Sequence, residues 1–165
     1  MERLILFRHA EAEVRAAGQS DHDRTLTAQG RYDAGLMGRV LASAGYAPDL
    51  ALVSSSTRTR ETWEAMASSF PDAEVEESRA LYNASAAQIA KAVQKAGANG
   101  GAVMVVGHIP GVQLLALSLA ATGSTAARQV HEGFPTSSAA VFAFDGAGKP
   151  SFERLLRVKD FGGQA

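Results

Sequence analysis

Apolar residues come along this chain in short strand-like runs separated by longer stretches of helical spacing. The first run, Leu4-Ile5-Leu6-Phe7, lies in residues 3–8 and stops at Arg8. A continuous apolar run of that length suits a strand covered on both faces. Leu50 to Val53 and Ala102 to Val106 repeat the pattern, and Glu74 to Glu77 reads as a short edge strand. Ser138 to Phe144 and Ser151 to Val158 read as two late strands joined at Asp145-Gly146, a hairpin-type turn.

Helical spacing fills the intervals. Arg31 to Ala44 puts Leu36, Val40 and Leu41 on one face, with Thr27 as its N-cap and Gly45 at its end. Thr57 to Ser69 turns Trp63, Met66 and Phe70 toward the core, and Ala84 to Ala96 is a further helix. Another starts at Pro110, whose missing N–H is harmless in a first turn, and runs through Leu114, Leu115 and Leu117 to Ala121 before Gly123-Ser124 breaks it. Residues 11–26 are polar and read as a loop. This alternation predicts an α/β fold: a three-layer sandwich with a mainly parallel central sheet flanked by helices and an antiparallel addition near the end. No linker or repeat interrupts the order, so one domain over residues 1–165 is expected.

Bulk composition narrows the function classes. Sixteen basic against 17 acidic residues leave a formal net charge of -1, which argues against a general nucleic-acid or membrane surface but not against a local basic pocket. No apolar stretch approaches the roughly 18 residues of a membrane span, and the N-terminal run is too short for a signal peptide. A cytoplasmic location is expected. The chain has no cysteine, which removes a disulfide framework, a cysteine-ligated zinc site and cysteine-based phosphatase chemistry.

Candidate chemistry gathers at the strand ends, where open α/β sheets collect ligands. The first run ends in Arg8-His9, the second leads through Ser54-Ser55-Ser56-Thr57 to Arg58, and the third ends in Gly107-His108. Two guanidinium groups and two imidazoles converging there would suit one phosphoryl group. His9 would attack phosphorus through a neutral nitrogen, which nearby arginines keep unprotonated. His108 would stabilise the group as a donor, and Ile109 would aim its backbone N–H at the same anion from the start of a helix. The Ser54–Thr57 hydroxyls read either as further donors or as an ordinary helix start. His9, His22, His108 and His131 show no i, i+4 pairing, so neither a metal nor another cofactor is expected. His22 reads as a solvated loop residue, His131 as a surface or helix-end residue, Arg60 and Glu61 as structural or surface, and Trp63 as core. Tyr82 has two readings, packing and site rim.

The chain resembles the histidine phosphatase superfamily, with its phosphoglycerate-mutase-like fold. Leu6-Phe7-Arg8-His9-Ala10-Glu11 is similar to that family's Arg-His-Gly signature in an Ala variant. Leu26-Thr27-Ala28-Gln29-Gly30 is similar to its Leu-Thr-x-x-Gly helix start, Ser54 through Arg58 with Thr62 to its second-arginine segment, and Gly107-His108 to its second histidine. The short length and the Asp23-Arg24-x-Leu-Thr spacing most resemble SixA-type phosphohistidine phosphatases. The resemblance implies His9 as the phosphorylated nucleophile, Arg8, Arg58 and His108 completing the phosphate pocket, and Arg24 on its rim.

One departure bears on substrate. Many superfamily members carry a carboxylic general acid after the middle helix, yet Leu81-Tyr82-Asn83-Ala84-Ser85 contains none. An alkoxide leaving group needs that proton, worth about 10²–10⁴-fold, whereas an imidazole departs readily. A phosphorylated protein, such as a phosphorelay histidine domain, is therefore the expected partner. A small phosphate ester is the alternative, with Glu11, Asp21 or Asp23 as substitute acid; a non-catalytic phosphate or phosphopeptide sensor is a third reading.

Overall fold

The computed structural model describes residues 1–164, and its elements alternate as the apolar pattern predicts. They are β1 (Arg3–Arg8), α1 (Ala28–Ser43), β2 (Leu50–Ser54), α2 (Thr57–Met66), β3 (Glu74–Ser78), α3 (Ala86–Ala96), β4 (Ala102–Gly107), α4 (Gly111–Leu119), α5 (Thr125–Glu132), β5 (Ser138–Phe144) and β6 (Pro150–Arg157). The strands form one sheet in the order β3-β2-β4-β1-β5-β6. Pairs β2/β3, β2/β4 and β1/β4 are parallel, whereas β5 runs antiparallel to both β1 and β6. Two antiparallel steps bring β6 back to the direction of β1. The C-terminal ends of β2, β4, β1 and β6 therefore share one edge of the sheet.

Strand alternation explains the three layers. Leu4 and Leu6 of β1 pack with Ile89, Val93, Val112, Leu115 and Val130 from α3, α4 and α5. Ile5 and Phe7 pack on the opposite side with Met37, Leu41, Trp63 and Met66 from α1 and α2. Each fully covered Leu, Ile or Phe contributes about 1.5–3 kcal/mol, so β1 ties both layers together. Charged Glu74, Glu76 and Glu77 on exposed β3 keep that sheet edge from pairing with another chain. Among the described residues no helix is long and apolar enough to cross a membrane.

Several boundaries differ from the sequence expectation for identifiable reasons. α1 begins a few residues early because the Thr27 hydroxyl accepts from the Gly30 amide at 2.8 Å. Its fully covered apolar side chains are Ala34, Met37 and Leu41, with Leu36 and Val40 only partly covered. α2 closes in a 3-10 turn, Ala67–Ser69. Pro110 caps α4 rather than entering it, and α4 stops at Leu119. Helix α5 is absent from the sequence reading because Val130 is its one buried residue. Ser124, read as part of a breaker, is its N-cap and accepts from the Ala127 amide at 3.1 Å.

Gly30 shows why a glycine stands in the first turn of α1. A Cβ there would run into the Glu11 backbone carbonyl, which already accepts from the Thr27 amide at 3.0 Å. Neither partner is the end of a flexible side chain, so the conflict needs backbone movement. Gly30→Ala is expected to lower unfolding free energy by about 1–3 kcal/mol, measured by urea denaturation; an unchanged midpoint would refute this account of the contact.

Candidate active site

The backbone at the end of β1 is held from three sides. The His9 amide donates to Gly107 O at 3.0 Å on β4, and Ser137 N donates to His9 O at 3.3 Å. The Ala10 amide donates to the Thr62 hydroxyl at 3.0 Å, and that hydroxyl donates to Arg58 O at 2.6 Å. Thr62 thus joins the segment carrying His9 to the helix carrying Arg58.

His9, Arg58 and His108 meet at this edge. The two imidazole centroids lie 5.3 Å apart. Arg58, only 5% exposed, directs Nε at His9 Nε2 (3.3 Å) and Nη2 at His108 Nδ1 (3.4 Å). His9 Nδ1 stands 2.7 Å from Ala10 O. A carbonyl only accepts, so the neutral ring carries its proton on Nδ1 and its lone pair on Nε2. By the same logic, His108 accepts at Nδ1 and donates Nε2–H to the Ser54 hydroxyl at 2.8 Å. The expected donor hydrogen of His108 is therefore directed at Ser54.

Asp21 is the group the sequence reading undervalued. Its backbone oxygen accepts from Arg58 Nη1 at 2.6 Å, and its Oδ2 from Arg58 Nη2 at 3.0 Å and Tyr82 Oη at 2.9 Å. Oδ1 accepts from Arg24 Nη1 at 3.1 Å. Desolvation opposes ionisation of Asp21, but the donors Arg24, Tyr82 and Arg58 outweigh it and hold the carboxyl at about 2. Tyr82 accordingly lies on the rim. His22 departs from a solvated loop: its Nε2 reaches the Ser55 hydroxyl at 2.9 Å and its ring stands edge-on to Tyr82. No one-residue motif marks Asp21, Tyr82 or His22; their loops have to fold before they converge.

The other expected residues occupy different places. Arg24 reaches the cluster through Asp21 and donates Nε–H to Glu13 O at 2.9 Å. Arg8 sends Nη1 to Phe134 O at 2.8 Å, and its buried Nε has no protein partner among the described residues. Its guanidinium lines a groove that also reaches Ile109. Ile109 is exposed and borders a second hollow with His108. Glu11 accepts from the Thr27 hydroxyl at 3.0 Å, and exposed Asp23 is engaged by Ser20 and His22. Glu61 is structural, accepting from Leu26 N at 2.6 Å and Arg31 at 3.0 Å. His131 is exposed in the last turn of α5. Among the described residues no three His, Asp or Glu side chains cluster as a metal site requires.

Residues 4–91 match the sequence profile of the histidine phosphatase superfamily (branch 1). An uncharacterized protein of Mycobacterium tuberculosis is 35% identical over 143 residues, covering 85% of this chain and 88% of the relative. A candidate SixA phosphohistidine phosphatase from Agrobacterium tumefaciens superposes with a TM-score of 0.82 at 28% identity, over 94% of this chain and 97% of that one. The protein histidine phosphatase SixA complexed with tungstate gives 0.81 at 25% identity, over 96% and 99%. A phosphoglycerate mutase from Plasmodium falciparum shares the fold at a TM-score of 0.65 and 18% identity, over 92% and 88%.

Both site imidazoles are held neutral well below the ordinary histidine range. For His9, burial is the main cause; the Ala10 carbonyl opposes it, Arg58, Arg8 and Arg24 add to it, and the result is about 4. For His108, burial, His9 and Arg58 bring it to about 3. Between 6.5 and these values the unfolded chain binds more protons than the folded one. Their contribution to stability is complete above pH 6.5 and is lost as pH falls through about 4 for His9 and about 3 for His108. NMR titration should accordingly place the His9 midpoint near 4, with the ring in its Nδ1–H form above it. A midpoint near 6.5 would contradict the burial and charge account.

Proposed function

The chain belongs to the histidine phosphatase superfamily, and from that membership we propose that it removes phosphoryl groups from histidine side chains of a partner protein, without a metal or other cofactor. The observation that carries this reading is the state of Asp21. The carboxylate paired with Arg58 is ionised and accepts from three side chains. It is an anion at neutral pH, so it has no proton to give to an alkoxide. A phosphorylated imidazole protonated by solvent on its other nitrogen needs no such acid, because it leaves as neutral imidazole, and the Asp21 charge favours that cation.

In this scheme His9 Nε2 attacks phosphorus as the bond from phosphorus to the substrate nitrogen breaks. His9 Nδ1–H stays on the Ala10 carbonyl throughout, which fixes the attacking nitrogen. Arg58 and Arg8 oppose the charge on the transferring oxygens, with Ile109 N–H as a further donor and Arg24 at the rim. The Ser54 hydroxyl either donates or accepts, so His108 can shift its proton to Nδ1 when a phosphoryl oxygen takes the place of Arg58 Nη2 there. Water then attacks phosphorus on His9, phosphate leaves, and neutral His9 returns.

Steady-state assays should give a phosphohistidine protein a kcat/KM at least about 10² above a panel of sugar, nucleotide and phosphoserine esters, the span of a general acid's contribution. Radiolabel from substrate should be trapped on wild type and absent from His9→Ala. Arg58→Lys, which loses the fork reaching both imidazoles and Asp21, should cost about 10²-fold in kcat/KM. Preference for the esters would overturn the substrate assignment, and unlabelled wild type would overturn the covalent route.

A further inference from the structure

Beyond Arg8, on the side of the site opposite Asp21, lies a groove of about 550 Å³ lined in part by Gln113, Glu132, Arg157 and Lys159. Its position follows from sheet topology. β6 runs in the direction of β1, so Arg157 at the end of β6 comes out on the same edge as Arg8. β5 separates them, placing their backbones about 10 Å apart at ordinary strand spacing. Lys159 follows within the 3-10 turn Val158–Phe161 and is exposed.

Arg8, Arg157 and Lys159 thus line one groove with a single carboxylate, Glu132, in a chain whose net charge is -1. Among the described residues none of Arg8, Arg157 and Lys159 forms an ion pair. Arg157 is instead braced by backbone: its Nη2 donates to Gln129 O at 2.7 Å and Gly133 O at 3.2 Å. Those carbonyls lie in α5 and just beyond it, so the helix positions this guanidinium. A held, half-buried guanidinium in one groove with an exposed ammonium is suited to a carboxylate or phosphate oxygen.

We propose that this groove is an anion subsite: it takes a second negatively charged group of the substrate while the transferring phosphoryl group sits at His9. Arg157 and Lys159 are the specificity-determining residues, and Arg8 joins the two positions. This rests on the reading that the His9 pocket holds the phosphoryl group. The second anion is either a carboxylate from acidic residues flanking the phosphorylated side chain or a second phosphate on a small molecule.

Calorimetric binding tests the subsite without requiring turnover. Wild type should bind a short alkane-α,ω-bisphosphonate about tenfold more tightly than the matching alkylphosphonate, the effect of two partly exposed ion pairs. Arg157→Gln/Lys159→Gln should bring the two ligands to near parity while leaving alkylphosphonate affinity unchanged. Lys159→Gln alone, at an exposed position, should lose part of the preference and covers the case in which the double variant fails to fold. Equal binding of the two ligands by wild type, or an intact preference in the folded variants, would overturn the subsite. Its source is read from kcat/KM on phosphohistidine peptides with Asp/Glu or Asn/Gln flanks: an acidic preference lost in the variants assigns protein carboxylates, and parity there with retained bisphosphonate preference assigns a second phosphate. Phosphoramidate turnover, which needs no second anion, should be the same in wild type and variants. Its absence from wild type would overturn the phosphatase reading and leave the binding result standing.

Discussion

Arg58 carries a full positive charge where water scarcely reaches, and its surroundings are arranged to make that tolerable. A buried cation without a counter-charge costs several kcal/mol. Asp21 supplies both a carboxylate and a backbone oxygen to it. The remaining guanidinium directions face the two imidazoles. One ion pair thereby fixes the loop at residues 21–23, while the Arg58 charge adds to the burial that keeps two histidines unprotonated and, with Arg24 and Tyr82, commits the nearest carboxylate to its ionised form. Removing Asp21 would leave the buried Arg58 charge without its counter-ion, whereas Asp21 without Arg58 would keep Arg24 and Tyr82, so it is the guanidinium whose charge balance holds the site together.

That arrangement separates positioning from chemistry. Backbone hydrogen bonds from Gly107 and Ser137 hold the His9 main chain, and Ala10 O orients its ring. The ring lone pair is then directed at Arg58 rather than at a second anchoring group. His108 is tethered through Ser54, a hydroxyl that adapts to either tautomer. Rigid placement and protonic freedom coexist because the first is assigned to amides and carbonyls and the second to imidazole and hydroxyl.

The strand-borne part of this site was legible in the sequence because its signal is local. A buried strand needs an unbroken apolar run, so a basic residue at the end of one is conspicuous, as at Arg8-His9 and before His108. The loop-borne part was not. Asp21, His22 and Tyr82 acquire meaning only from one another and from Arg58, and nothing in their immediate neighbours distinguishes them from solvated residues. Helix α5 was missed for a related reason: a helix that buries only Val130 leaves almost no apolar period. Arg157 and Lys159 lie in a stretch of mixed exposure, and only the double reversal of β5 and β6 brings them beside Arg8.

Thr62 gives the architecture a mechanical property. Its hydroxyl oxygen is clasped between an amide from the first crossover loop and a carbonyl one helical turn back in α2. Displacement of either segment is transmitted to the other through two bonds on a single atom. The separation of the His9 imidazole and the Arg58 guanidinium is thus governed by a pin, not by the pliability of the loops, and a tilt of α2 would carry both along as one piece.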